Sequence, residues 1–275
     1  MYNKVYIEIT NICNMNCSFC HGHSRTPRQM SMDEFALILE KLKEQTKYIY
    51  YHLMGEPTTH PCLPEFIKLA SKYGYKSIVT TNGTLLNKCG DSLLNAGVHK
   101  VNISLHSFEK GTDCEHAQYM HHLIDFAKKA ADNGVIAVFR MWNNGFDDGK
   151  NEKAFNLLKE NISGEWVKNT RGIRIRDKIH IEWGERFEWP DLAAQIKGDK
   201  FYCYALKDQF GILVDGTVVP CCLDSDGVIN LGNIYKNDVA TILNSARANK
   251  IADGFKCGVA NENLCKKCGY AQRFV

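Results

Sequence analysis

The sequence lacks the features that would place the protein in a membrane, on nucleic acid or outside the cell. No apolar run reaches the roughly 20 residues needed to cross a bilayer. The net charge is only +3 with both signs interspersed, so neither nucleic acid nor a membrane surface is indicated as a partner. The first residues lack the basic region, apolar core and cleavage site of a secretory signal peptide. We therefore expect a cytoplasmic protein.

Cysteine, by contrast, is abundant. The chain has 275 residues, of which 12 are cysteines, in an otherwise ordinary globular composition. Many of them cluster toward the two ends with spacings that resemble metal sites. Without an export signal, metal ligation in a reducing compartment fits better than disulfides.

The first cysteine group has the spacing C-x3-C-x2-C, formed by Cys13, Cys17 and Cys20. It follows residues 5–9, a β-branched and aromatic run typical of a strand. Closed metal sites normally take four ligands, so three thiolates leave one position open for chemistry. The loop follows the carboxyl end of a strand, where α/β barrels place their active sites.

A second motif, Gly55-Glu56-Pro57, follows another strand-like run. With Phe19 before the last cysteine, the two motifs resemble those of radical S-adenosylmethionine (SAM) enzymes. The resemblance implies that the three cysteines hold a [4Fe–4S] cluster whose fourth iron binds SAM. It also implies that the reduced cluster cleaves SAM to a 5′-deoxyadenosyl radical, and that an oxygen-sensitive protein works in an anaerobic host. Gly55-Glu56-Pro57 resembles the Gly-Gly-Glu-Pro motif that binds the SAM amino group, with Met54 replacing the first glycine. A zinc knuckle that includes His21 is the alternative.

Strands alternate with helices through the first two thirds of the chain. Ser31 and Glu34 form a predicted capping box at the first helix. Six strand–helix-like units predict a parallel sheet, open or closed. The resemblance implies a partial (β/α)6 TIM-like barrel. Residues 164–176 are expected to be less regular.

The pattern changes after Pro190. Residues 210–214 and 217–220 predict a β-hairpin around Asp215-Gly216, and residues 238–249 predict one short helix. We place a boundary near Lys200, between a radical SAM core domain (1–199) and an auxiliary domain (200–275).

The C-terminal part holds a second group of cysteines. Cys265-x2-Cys268 is a chelating pair, and Cys203 and Cys221 complete four thiolates. This arrangement, with Gly216-x4-Cys221, resembles the SPASM or shorter "twitch" extension of radical SAM enzymes, which implies an auxiliary [4Fe–4S] cluster. Zinc on the same cysteines is an open alternative, as is Cys222 or Cys257 in place of Cys221.

Four further side chains are weaker candidates. Asn82 and Ser104 lie at strand ends that approach SAM in similar enzymes; turn and strand roles are the alternatives. His106 is a candidate base or a structural histidine. Arg140 is a candidate ligand for the SAM carboxylate or a substrate oxygen, or a member of a surface ion pair.

The resemblance extends to the radical SAM aminocyclitol dehydrogenases. It implies two-electron oxidation of a small alcohol or amine, in which the auxiliary cluster accepts an electron. The alternatives are modification of a peptide or protein, and a non-catalytic iron–sulfur or zinc scaffold or electron carrier. Because the first strand begins so close to residue 1, we expect no N-terminal peptide-recognition domain, which favours a small molecule. A flavodoxin or ferredoxin is the expected electron donor.

Overall fold

A computed structural model describes residues 1–274, and one mixed sheet dominates this part of the chain. Its strands are β1 (Lys4–Ile7), β2 (Tyr48–Tyr50), β3 (Lys76–Thr81), β4 (Lys100–Ser104), β5 (Ile136–Asn144), β6 (Val167–Asn169), β7 (Gly172–Arg176), β8 (Ile179–Glu185), β9 (Gln209–Ile212), β10 (Thr217–Val219) and β11 (Gly232–Asn233). Their order across the sheet is β11-β10-β9-β1-β2-β3-β4-β5-β8-β7-β6. All neighbouring pairs from β9 to β8 are parallel. The predicted α/β fold, a partial (β/α)6 barrel, is confirmed: β1 to β5 and β8 are its six strands.

Helices connect the parallel strands, as right-handed crossovers require. They are α1 (Met32–Lys41), α2 (Leu63–Lys72), α3 (Leu86–Asn95), α4 (Asp113–Asp132) and α5 (Lys150–Asn161), followed in the C-terminal part by α6 (Val239–Leu243), α7 (Ala246–Lys256) and α8 (Asn263–Lys266). The predicted capping box is present at α1. The Glu34 N–H donates to Ser31 Oγ at 3.2 Å, and the Ser31 N–H donates to Glu34 Oε2 at 2.8 Å.

Two expectations about local structure are wrong. The stretch 164–176 is not irregular, because it contains β6 and β7, which pair antiparallel and continue the sheet beyond β8. The single helix over 238–249 is two helices, α6 and α7. Asn244 ends the first, and the Ser245 hydroxyl caps the second by accepting from the Ala248 N–H at 3.3 Å. Asn and Ser favour such ends because their side chains bond to nearby backbone groups.

The barrel strands have two different faces. Residues such as Val5, Ile49, Val101 and Phe139 point outward, are fully buried and pack in the main hydrophobic core with the helices. The alternate positions point inward and carry many polar side chains, among them Lys4, Tyr6, Tyr50, Asn102, Arg140 and Glu182. Because side chains alternate along a strand, each strand contributes to both layers.

The C-terminal hairpin extends the barrel sheet. β9 pairs parallel with β1, and β10 turns back antiparallel through Asp215-Gly216. Gly216 has φ of 84°, and a Cβ there would lie 2.5 Å from the Tyr235 ring, so the turn requires glycine. The division between residues 199 and 200 stays a prediction. Within residues 1–274, no helix combines the length and hydrophobicity needed to cross a bilayer.

Candidate active site

The three cysteines of the first motif lie on the loop that follows β1. The Cys20 N–H donates to the Cys17 carbonyl at 3.1 Å, and the Met15 N–H donates to Cys13 Sγ at 3.4 Å. Burial, with the negative charges of Glu109, Cys13 and Cys20, raises the pKa of Cys17 to about 11. The charges of Cys13 and Cys20 thus act on Cys17, and a nearby positive charge would stabilise the three thiolate forms. This donor set fits an iron–sulfur cluster that leaves one iron open.

Three other parts of the chain hold the cysteine loop. The Glu109 carboxylate accepts hydrogen bonds from the Ser18 N–H and hydroxyl. From the segment after β8, Trp189 Nε1 donates to the Phe19 carbonyl at 3.0 Å. The Phe19 ring packs on His106 with centroids 4.9 Å apart. These contacts fix the loop over the carboxyl ends of the barrel strands.

The second motif packs directly against the base of the cysteine loop. Gly55 has φ of 75°, and a Cβ on it would lie 2.5 Å from the Thr10 carbonyl oxygen and 2.8 Å from the Asn11 carbonyl carbon. The next amide, Glu56 N–H, donates to the Ile12 carbonyl at 2.9 Å. Only glycine permits this approach of two backbones.

Glu56 joins the ends of β2 and β3. Its carboxylate is buried and accepts from the Thr58 N–H at 3.0 Å, the Thr58 hydroxyl at 2.7 Å and the Asn82 N–H at 2.7 Å. Burial raises its pKa, and these hydrogen bonds oppose that shift. These hydrogen bonds engage the Glu56 carboxylate, which stabilises its own loop. The backbone of the motif, and not this side chain, faces the cysteine loop.

Asn82 and Ser104 both lie at strand ends beside the cysteine loop. The Asn82 amide nitrogen donates to Asn14 Oδ1 at 2.9 Å, and its oxygen accepts from Thr84. Asn82 therefore has the turn role that was its alternative, and it also contacts the cysteine loop. Ser104 is half-buried and its hydroxyl makes no capping bond to the short helix Leu105–Ser107.

His106 and Arg140 lie next to each other inside the barrel mouth. His106 Nδ1 is 3.1 Å from the Arg140 carbonyl oxygen and 3.4 Å from the Trp142 nitrogen. Burial is the main reason that its pKa falls to about 4, so at neutral pH the ring is uncharged. The Arg140 guanidinium is 3.4 Å from Glu182 and stacks over Trp142 at 4.8 Å. Its ion pair lies on the inner barrel face and not on the outer surface.

The auxiliary cysteines converge from three segments of the C-terminal part. Burial raises the pKa of Cys221, and the charges of Cys222, Cys203, Cys265 and Cys268 raise it further. Backbone N–H groups of residues 204 and 205 point at Cys203, and those of residues 270 and 271 point at Cys268. Four partly buried thiols, two of them with amide donors, fit a four-cysteine [4Fe–4S] site.

The other two candidate ligands differ in position. Cys222 also adjoins this group, but it packs toward the inner barrel face beside Tyr6. Cys257 is exposed at the end of α7. Across residues 1–274, no group of three or more Cys, His, Asp or Glu side chains has the geometry that holds a single metal ion.

A buried ion pair that was not predicted from the sequence links segments next to both cysteine groups. Glu8, at the end of β1, is fully buried and binds Arg25 through two bonds of 2.6 and 2.7 Å. The same carboxylate accepts from the Met54 N–H at 3.2 Å and the Val214 N–H at 3.0 Å. Arg25 continues to the Ser225 carbonyl at 2.8 Å. An acidic residue within the apolar run 5–9, directly after β1, was the signal available in the sequence.

Comparisons with known proteins agree with this geometry. Residues 7–160 match the radical SAM superfamily, and residues 203–269 match the SPASM iron–sulfur cluster-binding domain. A probable GTP 3′,8-cyclase of Sulfolobus acidocaldarius is 37% identical over 272 residues, covering 86% of each chain. The fold resembles BtrN in complex with AdoMet and 2-DOIA (TM-score 0.63, 17% identity, 98% of this chain and 93% of that chain). It also resembles anSMEcpe with bound AdoMet and Kp18Cys peptide (TM-score 0.59, 16% identity, 97% and 88%).

Proposed function

The chain belongs to the radical SAM superfamily and carries a SPASM-type iron–sulfur domain, and we propose that it catalyses two-electron oxidation of a small polar substrate bound inside the barrel. It is an enzyme that uses SAM and two [4Fe–4S] clusters. Cys13, Cys17 and Cys20 would hold the SAM-binding cluster. The auxiliary cluster would be held by Cys203, Cys221, Cys265 and Cys268. When bound, the first cluster and SAM supply the radical that abstracts a substrate hydrogen atom, and the second supplies an electron acceptor.

The observation that carries this proposal is the contact that Cys222, the neighbour of the proposed ligand Cys221, makes with the barrel interior. Cys222 follows Cys221 directly and packs against a small inner cluster that contains Tyr6, Leu53, Leu213 and Val219. Tyr6 lies on β1, the strand that leads to the first cysteine loop. A substrate on the inner face would therefore lie between the two cysteine groups, which suits a reaction that removes first a hydrogen atom and then an electron.

The residues around the first site have defined supporting roles in this proposal. Gly55 lets the Gly-Glu-Pro backbone lie against the cysteine loop, where it would bind the SAM amino group. Hydrogen bonds of Glu56 and Asn82 stabilise the Gly-Glu-Pro loop. The Phe19 ring, on the cysteine loop, packs against His106. The neutral His106 ring has one nitrogen engaged with backbone, so we assign it a positioning role.

The test is anaerobic reconstitution followed by dithionite and SAM. We expect 5′-deoxyadenosine and methionine, and about eight irons per chain as two four-iron clusters. A Cys265→Ala/Cys268→Ala variant should fall toward about four irons, still cleave SAM and lose product formation. No SAM cleavage by fully loaded protein, or undiminished cleavage in a Cys13/Cys17/Cys20→Ala variant, would refute the core assignment. One equivalent of zinc with only about four irons would refute the auxiliary one.

A second candidate is cyclisation of a purine nucleoside triphosphate. The Sulfolobus relative named as a probable GTP 3′,8-cyclase supports it, because the identity of 37% extends over most of both chains. Incubation of the reduced holoenzyme with GTP and SAM distinguishes the two: consumption of GTP with formation of a cyclised product would favour the cyclase. Peptide modification is a third possibility, and a short precursor-peptide gene beside this one would favour it. Reduced flavodoxin or ferredoxin is the proposed electron source.

A further inference from the structure

The inner face of the barrel is unusually polar for a parallel sheet. Parallel strands are ordinarily buried on both faces and read as continuous apolar runs. Here β4 has the sequence Lys-Val-Asn-Ile-Ser, and β5 contains Phe-Arg-Met-Trp. Polar and apolar residues alternate along β4, and its polar residues and Arg140 of β5 lie on the inner face. The side chains of Arg140, Glu182 and Lys100 keep 16%, 18% and 24% of their exposure although they lie on central strands. These exposures show that the three side chains keep partial contact with solvent.

Three buried polar atoms on this face have no hydrogen-bond partner. They are His52 Nδ1 after β2, Asn102 Oδ1 on β4 and Arg140 Nε on β5, although Arg140 Nε lies 3.4 Å from Glu182 Oε2 and forms an ion pair with it. Only two further such side-chain atoms, on His23 and Arg176, occur among residues 1–274. Asn102 is fully buried, and its amide nitrogen donates to Thr80 Oγ1 at 3.1 Å, which leaves the oxygen as the free acceptor. Native proteins pair nearly all buried polar groups, so this concentration points to a missing partner.

The charges on the same face do not balance. Arg140 and Lys100 share one carboxylate, that of Glu182, at 3.4 and 4.0 Å. The amino group of Lys4 adds a third positive charge near His52. His52 contributes none, because burial and the Arg140 and Lys4 charges lower its pKa to about 3. The carboxylates whose charges act on this face are those of Glu182 and, near Tyr50, Asp208, so positive charges outnumber negative ones by three to two. A buried positive charge is costly unless an anion pairs with it, and Arg140 shares Glu182 with Lys100.

We propose that the barrel interior binds a small polyhydroxylated or amino-substituted substrate that carries one anionic group, a carboxylate or a phosphate. Arg140 pairs with the anionic group, and Asn102 Oδ1 accepts a hydrogen bond from a hydroxyl or amino group. His52 Nδ1 supplies a further hydrogen bond, and the rings of Tyr6 and Tyr50, 5.2 Å apart, flank the carbon skeleton. This inference rests on the proposed function, since it assigns a substrate class to the same site.

Binding to the reconstituted holoenzyme with SAM tests the proposal by calorimetry. The probes are D-gluconate (carboxylate), glucose 6-phosphate (phosphate), D-glucose (neutral) and GTP. We expect at least one of the first two to bind ten or more times more tightly than D-glucose, and which of them does so identifies the anionic group. Arg140→Gln should abolish that preference, Arg140→Lys should keep part of it, and Asn102→Leu should weaken binding of the preferred probe. Arg174→Gln, which removes a partner of Glu165 on the exposed β7, is the matched control and should bind like wild type.

Several results would overturn the proposal. One is equal binding, or no binding, of the anionic and neutral probes by wild type. Another is loss of SAM binding in Arg140→Gln with probe preference unchanged, which would assign the guanidinium to the SAM carboxylate. GTP binding ten or more times tighter than glucose 6-phosphate would replace the single-anion class with a triphosphate. Formation of 5′-deoxyadenosine is measured separately: its absence with selective probe binding intact refutes the proposed function and not the binding site.

Discussion

Replacing Glu8 with glutamine should disrupt the contact between the two halves of the site. The Glu8 carboxylate accepts two bonds from Arg25 and one each from the Met54 and Val214 amides. These partners belong to the segment after the cysteine loop, to the loop before Gly55 and to the C-terminal hairpin. Glutamine keeps the shape and one acceptor oxygen, but it leaves the Arg25 charge without a counter-charge in a site where only 13% of that side chain is exposed.

The magnitude follows from burial. Removing one partner of a buried ion pair costs about 3–5 kcal/mol, because the remaining charge is left uncompensated. That loss corresponds to roughly two to four powers of ten in a local opening constant. The Arg247–Glu262 pair is a matched control, since it has the same two-bond geometry at 2.8 and 2.8 Å but is 42% and 21% exposed. Glu262→Gln should cost about 1 kcal/mol or less.

Urea denaturation and hydrogen exchange on the holoenzyme provide the measurements. Glu8→Gln should speed amide exchange in peptides covering residues 20–30, 50–56 and 210–216, and Glu262→Gln should not. A double-mutant cycle with Arg25→Met should give a coupling of about 1–3 kcal/mol, because removing both charges is cheaper than removing one. A cost below about 1 kcal/mol for Glu8→Gln, or a coupling near zero, would show that the pair does not join these segments as described.

Three further predictions concern the motif, the barrel and the auxiliary site. Gly55→Ala should abolish SAM binding measured by calorimetry, whereas Gly97→Ala, with φ of 83° and no atom within 4 Å, should cost only about 1–2 kcal/mol of stability and keep SAM binding. Because the folded pKa of His52, about 3, lies below the unfolded value of 6.5, the folded state binds fewer protons and stability falls as pH drops from about 6.5 toward 3. His52→Gln should reduce that pH-dependent loss of unfolding free energy by roughly 5 kcal/mol, and an unchanged profile would contradict the assigned burial. Cys221→Ser should lose about four irons while Cys222→Ser keeps about eight; the reverse would make Cys222 the ligand.

The sequence by itself determined the chemistry of the protein and much of its fold. Cys13, Cys17 and Cys20 and the Gly55-Glu56-Pro57 motif are local patterns, so their spacing was sufficient to indicate a radical SAM enzyme. The strand and helix alternation is likewise local, because propensity, capping and period act over a few residues. The capping box at Ser31 and the turn at Gly216 were predicted for the same reason.

Tertiary structure alone decided what depends on contacts between distant segments. Cys221 and Cys222 are adjacent in sequence, and only packing shows that Cys221 lies near Cys203, Cys265 and Cys268, whereas Cys222 lies near Cys203 and Cys268 and also contacts Tyr6. The strand β7 alternates Ile and Arg, which is a strand pattern, but only the structure shows that it pairs with the edge of β8 and that the three-residue β6 pairs with it in turn. The free acceptor of Asn102 became visible only once Thr80 was seen to occupy its amide nitrogen. Whether a buried polar atom has a partner depends on neighbours that the linear sequence does not specify.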